Sequence, residues 1–327
     1  MLVLNRGDIQ TLVPMRDAIE LMKVAFRELS AGRAQSPLRA VVPVDNRSVS
    51  LLMPAYVPGA NALGFKVVSV FEDNRTKGLP TISAMVCLID ETTGVPAAIM
   101  NGAYLTALRT GAVSGAATDL LARGDASRLV VIGAGVQGVT QAAAVAAVRP
   151  IERITAVART EESLVRFRET IAADWPDLTD RVETSTDPSV VADADIVCTS
   201  TNSRTPVFDD SLLQPGTHIN AVGAFKPDMQ ELPPTLVTRA TIIVDEVEAA
   251  LEEAGDFIIP INRGELDRSR IERELGQIVA GEAVGRVSND EITLFKSVGN
   301  AVQDVTVARR AVERARERGM GQEVSID

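Results

Sequence analysis

Histidine is almost missing from this chain: His218 is the only one among 327 residues. A lone imidazole inside the apolar run HINAVG suits a structural role better than general-base catalysis, and no metal site is expected. The two cysteines, Cys87 and Cys198, lie in apolar strand-like runs and not in ligand spacing. They read as buried free thiols of a cytosolic protein, with no disulfide framework and no nucleophilic role for Cys198. Aromatic residues make up only 3%, which argues against a base-stacking surface. Basic residues are too few to balance the acids, 33 against 44, and the net charge of -11 repels nucleic acid and anionic membranes. An anionic substrate therefore needs locally placed arginine or lysine. No apolar run approaches membrane-spanning length, and Arg6 and Asp8 interrupt the N-terminus where a signal peptide needs an apolar core. The expected location is the cytoplasm.

The chain is long enough for two domains, and 46% apolar with 24% charged residues is the composition of a globular protein. Residues 14–31 carry Ala18, Ile19, Met22, Ala25, Phe26 and Leu29 at helical spacing, with Gly32 behind them. From about Arg39 to Asn101 the pattern changes to short β-type runs, which predicts a mostly antiparallel sheet with a hairpin across 90–95. Residues 103–122 read as a helix rich in small side chains. Strands and helices then alternate through RLVVIG, ITAVAR, ADIVCTST, HINAVGA and TIIVD, which implies a parallel sheet with right-handed crossovers. The last segment, VTVARRAVERARERG, is a charged helix whose apolar positions suit docking on the first region. The expected fold class is α/β, a doubly wound Rossmann sheet accompanied by a separate α+β domain.

Gly133-Ala134-Gly135-Val136-Gln137-Gly138 follows the strand RLVVI directly and opens a helix. In that context the glycines permit a tight turn and a close approach of backbone to pyrophosphate at a helix N-terminus. These residues are therefore assigned to a nicotinamide dinucleotide, NAD(P)H. The second strand ends in Arg159-Thr160, without the acid that usually holds a ribose diol; an arginine there is either a partner for a 2′-phosphate, favouring NADP(H), or a solvated surface residue. Thr199, Ser200 and Thr201, with Val222, Gly223 and Ala224, end strands at the carboxyl edge along which such a cofactor passes.

The segments GFKVVSVFEDNRTKGLPT, AIMNGAYLTALRTGAVSGAA, VIGAGVQG, INAVGAFKPDMQEL and EITLFKSVGNAVQD, spread in order over most of the chain, resemble the ornithine cyclodeaminase and mu-crystallin family. The resemblance implies a substrate and dimerisation domain, residues 1–116 with 303–327, around an inserted Rossmann domain, 117–302, in a homodimer. It also implies that Lys66 stands beside the reacting carbon and that Arg39 and Arg109 receive the substrate carboxylate or adjoin the cofactor phosphates. A lysine can supply a proton to an imine nitrogen, and an arginine can grip a carboxylate with two donors. Thr81, Arg109, Thr110 and the run Ser297-Val298-Gly299 match family positions near the cofactor.

One departure matters. Where the cyclodeaminases carry an aspartate after the INAVG strand, this chain has Phe225, which cannot ionise, followed by Lys226. Asp228 lies three residues on, behind Pro227. If Lys226 faces the substrate, it favours a second carboxylate over a distal amine. The expected activity is thus an NAD(P)H-dependent reduction of a small 2-imino acid, iminosuccinate or a cyclic ketimine, to an L-amino acid. The rivals are a cyclodeaminase-type lyase with bound NAD and a crystallin-like protein that binds NADP(H) or ligand without turnover.

Overall fold

A computed structural model describes residues 1–325 of the chain. In order, its main elements are β1 (Leu2–Leu4), α1 (Arg6–Leu12), α2 (Met15–Ser30), β2 (Ala40–Asp45), β3 (Ser48–Val57), β4 (Ala62–Phe71), β5 (Ile82–Ile89), β6 (Pro96–Asn101) and α3 (Gly102–Leu121). Then follow β7 (Arg128–Ile132), α4 (Val136–Val148), β8 (Arg153–Val157), α5 (Glu161–Asp174), β9 (Val182–Ser185), β10 (Ile196–Thr199), β11 (His218–Ala221), α6 (Pro234–Arg239) and β12 (Thr241–Val244). The chain closes with α7 (Val247–Glu253), α8 (Gly255–Asn262), α9 (Leu275–Ala280), β13 (Thr293–Lys296), α10 (Ala301–Arg318) and β14 (Gln322–Glu323). Two compact units result, Met1–Arg109 with Asn300–Asp327, and Thr110–Gly299. The first boundary falls inside α3, seven residues before the position expected from sequence, and the second falls three residues earlier than expected. Helix α3 runs through the crossing without a break, so no turn marks it.

In the first unit seven strands pair in the order β14-β1-β6-β5-β4-β3-β2, antiparallel except for β1 with β6. Period-two patterning decides which side chains β4 buries: Ala62, Gly64 and Lys66 point to one face and are buried, while Leu63, Phe65 and Val67 are partly exposed. Helix α10 packs on β3, β4 and β5. Its Val302, Val305, Ala308, Val312 and Ala315 recur at helical spacing and are buried, while Arg309, Arg310 and Glu313 stay nearer water. A capping box starts it: the Asn300 side chain accepts from Val302 N–H, and the Gln303 side chain accepts from Asn300 N–H. The docking of this helix agrees with its amphipathic sequence. Strand β2 is exposed throughout, so Val41, Val42 and Val44 face outward, as do Leu52, Ile82 and Met85.

The second unit is a seven-stranded parallel sheet in the order β12-β13-β11-β10-β7-β8-β9. Its central strands are buried almost end to end, as a sheet covered on both faces requires. This is the doubly wound α/β sheet expected from the alternating pattern. Strand order reverses between β7 and β10, and ligands of such sheets bind outside the carboxyl ends at that reversal. Strand β9 forms one edge of the sheet and β13 lies between β11 and β12; neither stands out in the sequence, VETS being largely polar and TLFK having only two apolar residues.

Candidate active site

At the carboxyl end of β7 the backbone turns through Gly133, whose φ is +109°. A Cβ there would also lie 2.6 Å from the carbonyl oxygen of Ser200, so both the turn and its neighbour demand glycine. Gly138, in the first turn of α4, allows that helix to approach the strand: a Cβ would come within 2.0 Å of the Gly133 oxygen. Gly135 faces open space and precedes α4 with no side chain capping the helix. The N–H groups of that first turn thus have no side-chain acceptor. These features fit a dinucleotide pyrophosphate, which would take the helix N-terminus as its anion site and lie over Gly135 and the exposed Val136. Beyond β8, Arg159 and Thr160 are exposed; the Thr160 hydroxyl accepts from Ser163 N–H and caps α5.

The remaining strand ends are tied down by three buried carboxylates that sequence reasoning missed. Glu231 accepts from the Thr199 hydroxyl at 3.0 Å, from Gly223 and Ala224 N–H at 2.8 and 3.1 Å, and from Thr201 N–H. Burial pushes its pKa up, opposed by the Lys296 cation and by the Thr201 hydrogen bonds. Asp256 accepts from Glu231 and Leu232 N–H and pairs with Lys296 at 2.6 Å. Asp245 accepts from the Ser297 hydroxyl and from Val298 and Gly299 N–H. The hydroxyl protons of Thr199 and Ser297 are therefore given to carboxylates that shape the edge. Lys296 is fully buried against Asp256. Glu231 stood within the quoted KPDMQEL segment, yet the six residues 225–230, irregular in backbone, separate it from the Gly223–Ala224 loop that it holds, and no periodicity predicts that return.

In the first unit, Lys66 is 2% exposed and Asp304 is fully buried. Lys66 Nζ donates to Asp304 Oδ2 at 2.8 Å, while Arg109 Nε donates to Oδ1 of the same carboxylate at 3.2 Å. Arg109 also donates to Gln303 Oε1, and the Gln303 Nε2 is buried with no partner among the described residues. Burial lowers the Lys66 pKa to about 8; the Arg109 cation adds to the fall, Asp304 opposes it, and Arg39 contributes from the segment before β2. Strand β4 is interior to its sheet, so Lys66 does not reach water at an edge, and Arg109 is buried too. Asp304 was missed because an acid in the first turn of a charged helix reads as a dipole partner.

Arg39 is half-buried, and Thr81 is half-buried with its carbonyl accepting from Phe71 N–H at 2.8 Å. Thr110 is buried, its carbonyl accepting from the Gln141 amide. Lys226 is exposed, its ammonium 5.8 Å from the centre of the Phe225 ring. Asp228 is also exposed and pairs with Arg204 at 3.0 Å, so it stands as a surface ion pair and not as a buried acid replacing Phe225. His218 is fully buried between Thr293 and Asn220, with its pKa lowered to about 3 by burial first. Cys87 and Cys198 are buried free thiols, and burial raises the Cys198 pKa to about 12. Among the described residues no group of acids, histidines and cysteines could hold a metal ion, and no helix is long and apolar enough to cross a membrane.

The chain matches the family model described as ornithine cyclodeaminase/mu-crystallin family over residues 1–319. It is 45% identical to a Delta(1)-pyrroline-2-carboxylate reductase of Bacillus cereus, over the whole of both chains. Among solved structures it resembles the Delta(1)-pyrroline-2-carboxylate reductase of Thermococcus litoralis in complex with NADH and L-proline, at 41% identity and TM-score 0.93, covering 99% of this chain and 100% of that one. It also resembles an archaeal alanine dehydrogenase dimer with bound NAD, at 32% identity and TM-score 0.90, covering 100% and 99%.

Proposed function

Because the chain belongs to the ornithine cyclodeaminase/mu-crystallin family, we propose that it is an NAD(P)H-dependent reductase of small 2-imino acids, with a cyclic ketimine of the pyrroline-2-carboxylate type as substrate and an L-amino acid as product. The observation that carries this reading is the buried Lys66, Asp304 and Arg109 cluster, in which two cations share one carboxylate. The surplus positive charge, increased by Arg39, suits a substrate carboxylate in an otherwise acidic protein. The reductase relatives and the L-proline bound to one of them support the cyclic imine. A nicotinamide cofactor supplies a hydride when bound. Arg109 and Arg39 hold the carboxylate, and the Lys66 ammonium gives one proton to the imine nitrogen as the neighbouring carbon accepts the hydride. The C=N bond becomes an amine, and Lys66 regains its proton from water.

Phe225 weighs against the lyase, because no ionisable group occupies its position. Lys226 would serve a dicarboxylic imine such as iminosuccinate only if it left the Phe225 ring, so that substrate is the second choice. Arg159, exposed after β8 with no acid before α5, supports NADPH over NADH. The outward valines of β2 with Leu52, Ile82 and Met85 support a homodimer formed on that face. Two free buried thiols support a cytoplasmic location.

The test is oxidation of NADH and NADPH by the purified protein offered pyrroline-2-carboxylate, its six-membered homologue, oxaloacetate with ammonia, or pyruvate with ammonia. Rapid oxidation with the cyclic imines, abolished in Lys66→Ala, is the expected result. Conversion of ornithine to proline with ammonia release and no net change of cofactor would establish the lyase instead. Tight ligand binding without turnover on any substrate would establish a binding protein.

A further inference from the structure

We infer that Asp304 is a positioning residue that keeps Lys66 protonated and fixed beside Arg109, so that Lys66 meets each substrate as a proton donor. The inference deepens the proposed reductase reading and rests on it for its catalytic meaning. Its physical content does not depend on turnover.

A lysine buried beside a guanidinium has two reasons to give up its proton, lost hydration and like-charge repulsion. The charged groups facing Lys66 are Arg109 on α3, Arg39 before β2, and Asp304 on α10. The cross-strand neighbours on β3 and β5, Met53 and Val86, are apolar. Asp304 is therefore the anion that counters both cations. Its geometry is specific: Oδ2 receives Lys66 at 2.8 Å and Oδ1 receives Arg109 at 3.2 Å, so one planar carboxylate sets the spacing of the two side chains. With both oxygens occupied by donors, Asp304 is poorly placed to accept a substrate proton itself. Its anchorage is rigid, since α10 begins with a capping box four residues earlier and packs directly on β4. Burial and the arginines bring the Lys66 pKa down to about 8, low enough for ready proton transfer, while Asp304 keeps it from falling further.

The protein contains only five lysines, so their titration can be followed one by one. The experiment is a pH titration by NMR of protein labelled with 13C at lysine Cε, with Lys66→Arg to assign the resonance. In the wild type the Lys66 midpoint is expected near 8. In Asp304→Asn it should fall by about one to three pH units, the usual effect of one opposite charge at this distance. In Arg109→Met the carboxylate is left to Lys66 alone and the midpoint should rise. An unchanged midpoint in Asp304→Asn overturns the inference. If that variant does not fold, Asp304→Ser, which keeps a hydrogen-bonding oxygen without the charge, decides: a fall of the Lys66 midpoint supports the inference, and no movement or a rise overturns it. A wild type that reduces no imine would sink the proposed function while leaving this titration readable.

Discussion

Replacing Glu231 by glutamine should weaken the second unit and its cofactor site together. Three donors converge on Glu231 Oε2, namely the Thr199 hydroxyl and the N–H groups of Gly223 and Ala224, and Thr201 N–H points at Oε1. A carboxamide keeps one acceptor oxygen. If that oxygen serves the three convergent donors, the amide nitrogen faces Thr201 N–H, donor against donor. An unpaired buried N–H costs about 1–3 kcal/mol, and removing the charge from the remaining bonds costs about 1 kcal/mol more, so the sum is about 3 kcal/mol. At roughly 2–4 °C per kcal/mol for a unit of this size, the melting temperature should fall by about 6–12 °C. If half of that loss is expressed as displacement of the strand ends where the cofactor binds, the Kd for NADH should rise about tenfold. Calorimetric unfolding and fluorescence titration of NADH measure the two effects. Burial pushes the Glu231 pKa upward, and a carboxyl held neutral would be replaced by glutamine at little cost. A melting temperature within about 2 °C of wild type, with an unchanged Kd, would therefore refute an ionised clamp.

Further consequences can be measured on the same protein. Since proton donation needs Lys66 charged, and its pKa lies near 8, kcat/KM for a cyclic imine should fall by about tenfold per pH unit above that value; a flat alkaline profile would remove Lys66 as the donor. His218 titrates near 6.5 when exposed but only near 3 in the fold. Its depressed pKa contributes stability that is present above 6.5 and lost as pH falls towards 3. Urea unfolding at pH 7 and pH 4.5 should show a loss about 3 kcal/mol smaller in His218→Gln than in wild type, whatever the variant's stability at neutral pH. Arg159→Ala should lower kcat/KM for NADPH by about tenfold and leave NADH little changed, the value of one charge-assisted phosphate contact; equal loss with both cofactors would assign Arg159 no part in that choice. Val42→Asp on the exposed face of β2 should turn a dimer into monomers in sedimentation velocity, and an unaltered sedimentation coefficient would move the interface elsewhere.

The α/β fold was legible because it rests on local signals. Period-two runs in β3, β4 and β5, unbroken apolar strands in β7, β10 and β11, and the GxGxxG turn behind β7 each follow from geometry within a few residues. The chain by itself also marked Lys66, Arg109 and the Gly133–Gly138 turn, because dispersed motifs identified a family and glycine is required where φ is positive or two backbones meet. It gave weaker signals for β9, whose VETS is largely polar, and for β13, whose TLFK has only two apolar residues. What tertiary structure alone decided is the company that charged residues keep. Asp304 reaches Lys66 across 238 residues of sequence, and Asp256 reaches Lys296 across 40. Glu231 closes over loops 7 to 32 residues before it. Burial multiplies the strength of such contacts and the cost of leaving them unmade. Burial is a property of the packed chain, so the partners of these carboxylates were settled only when β4 met α10 and when the strand ends of the parallel sheet came together.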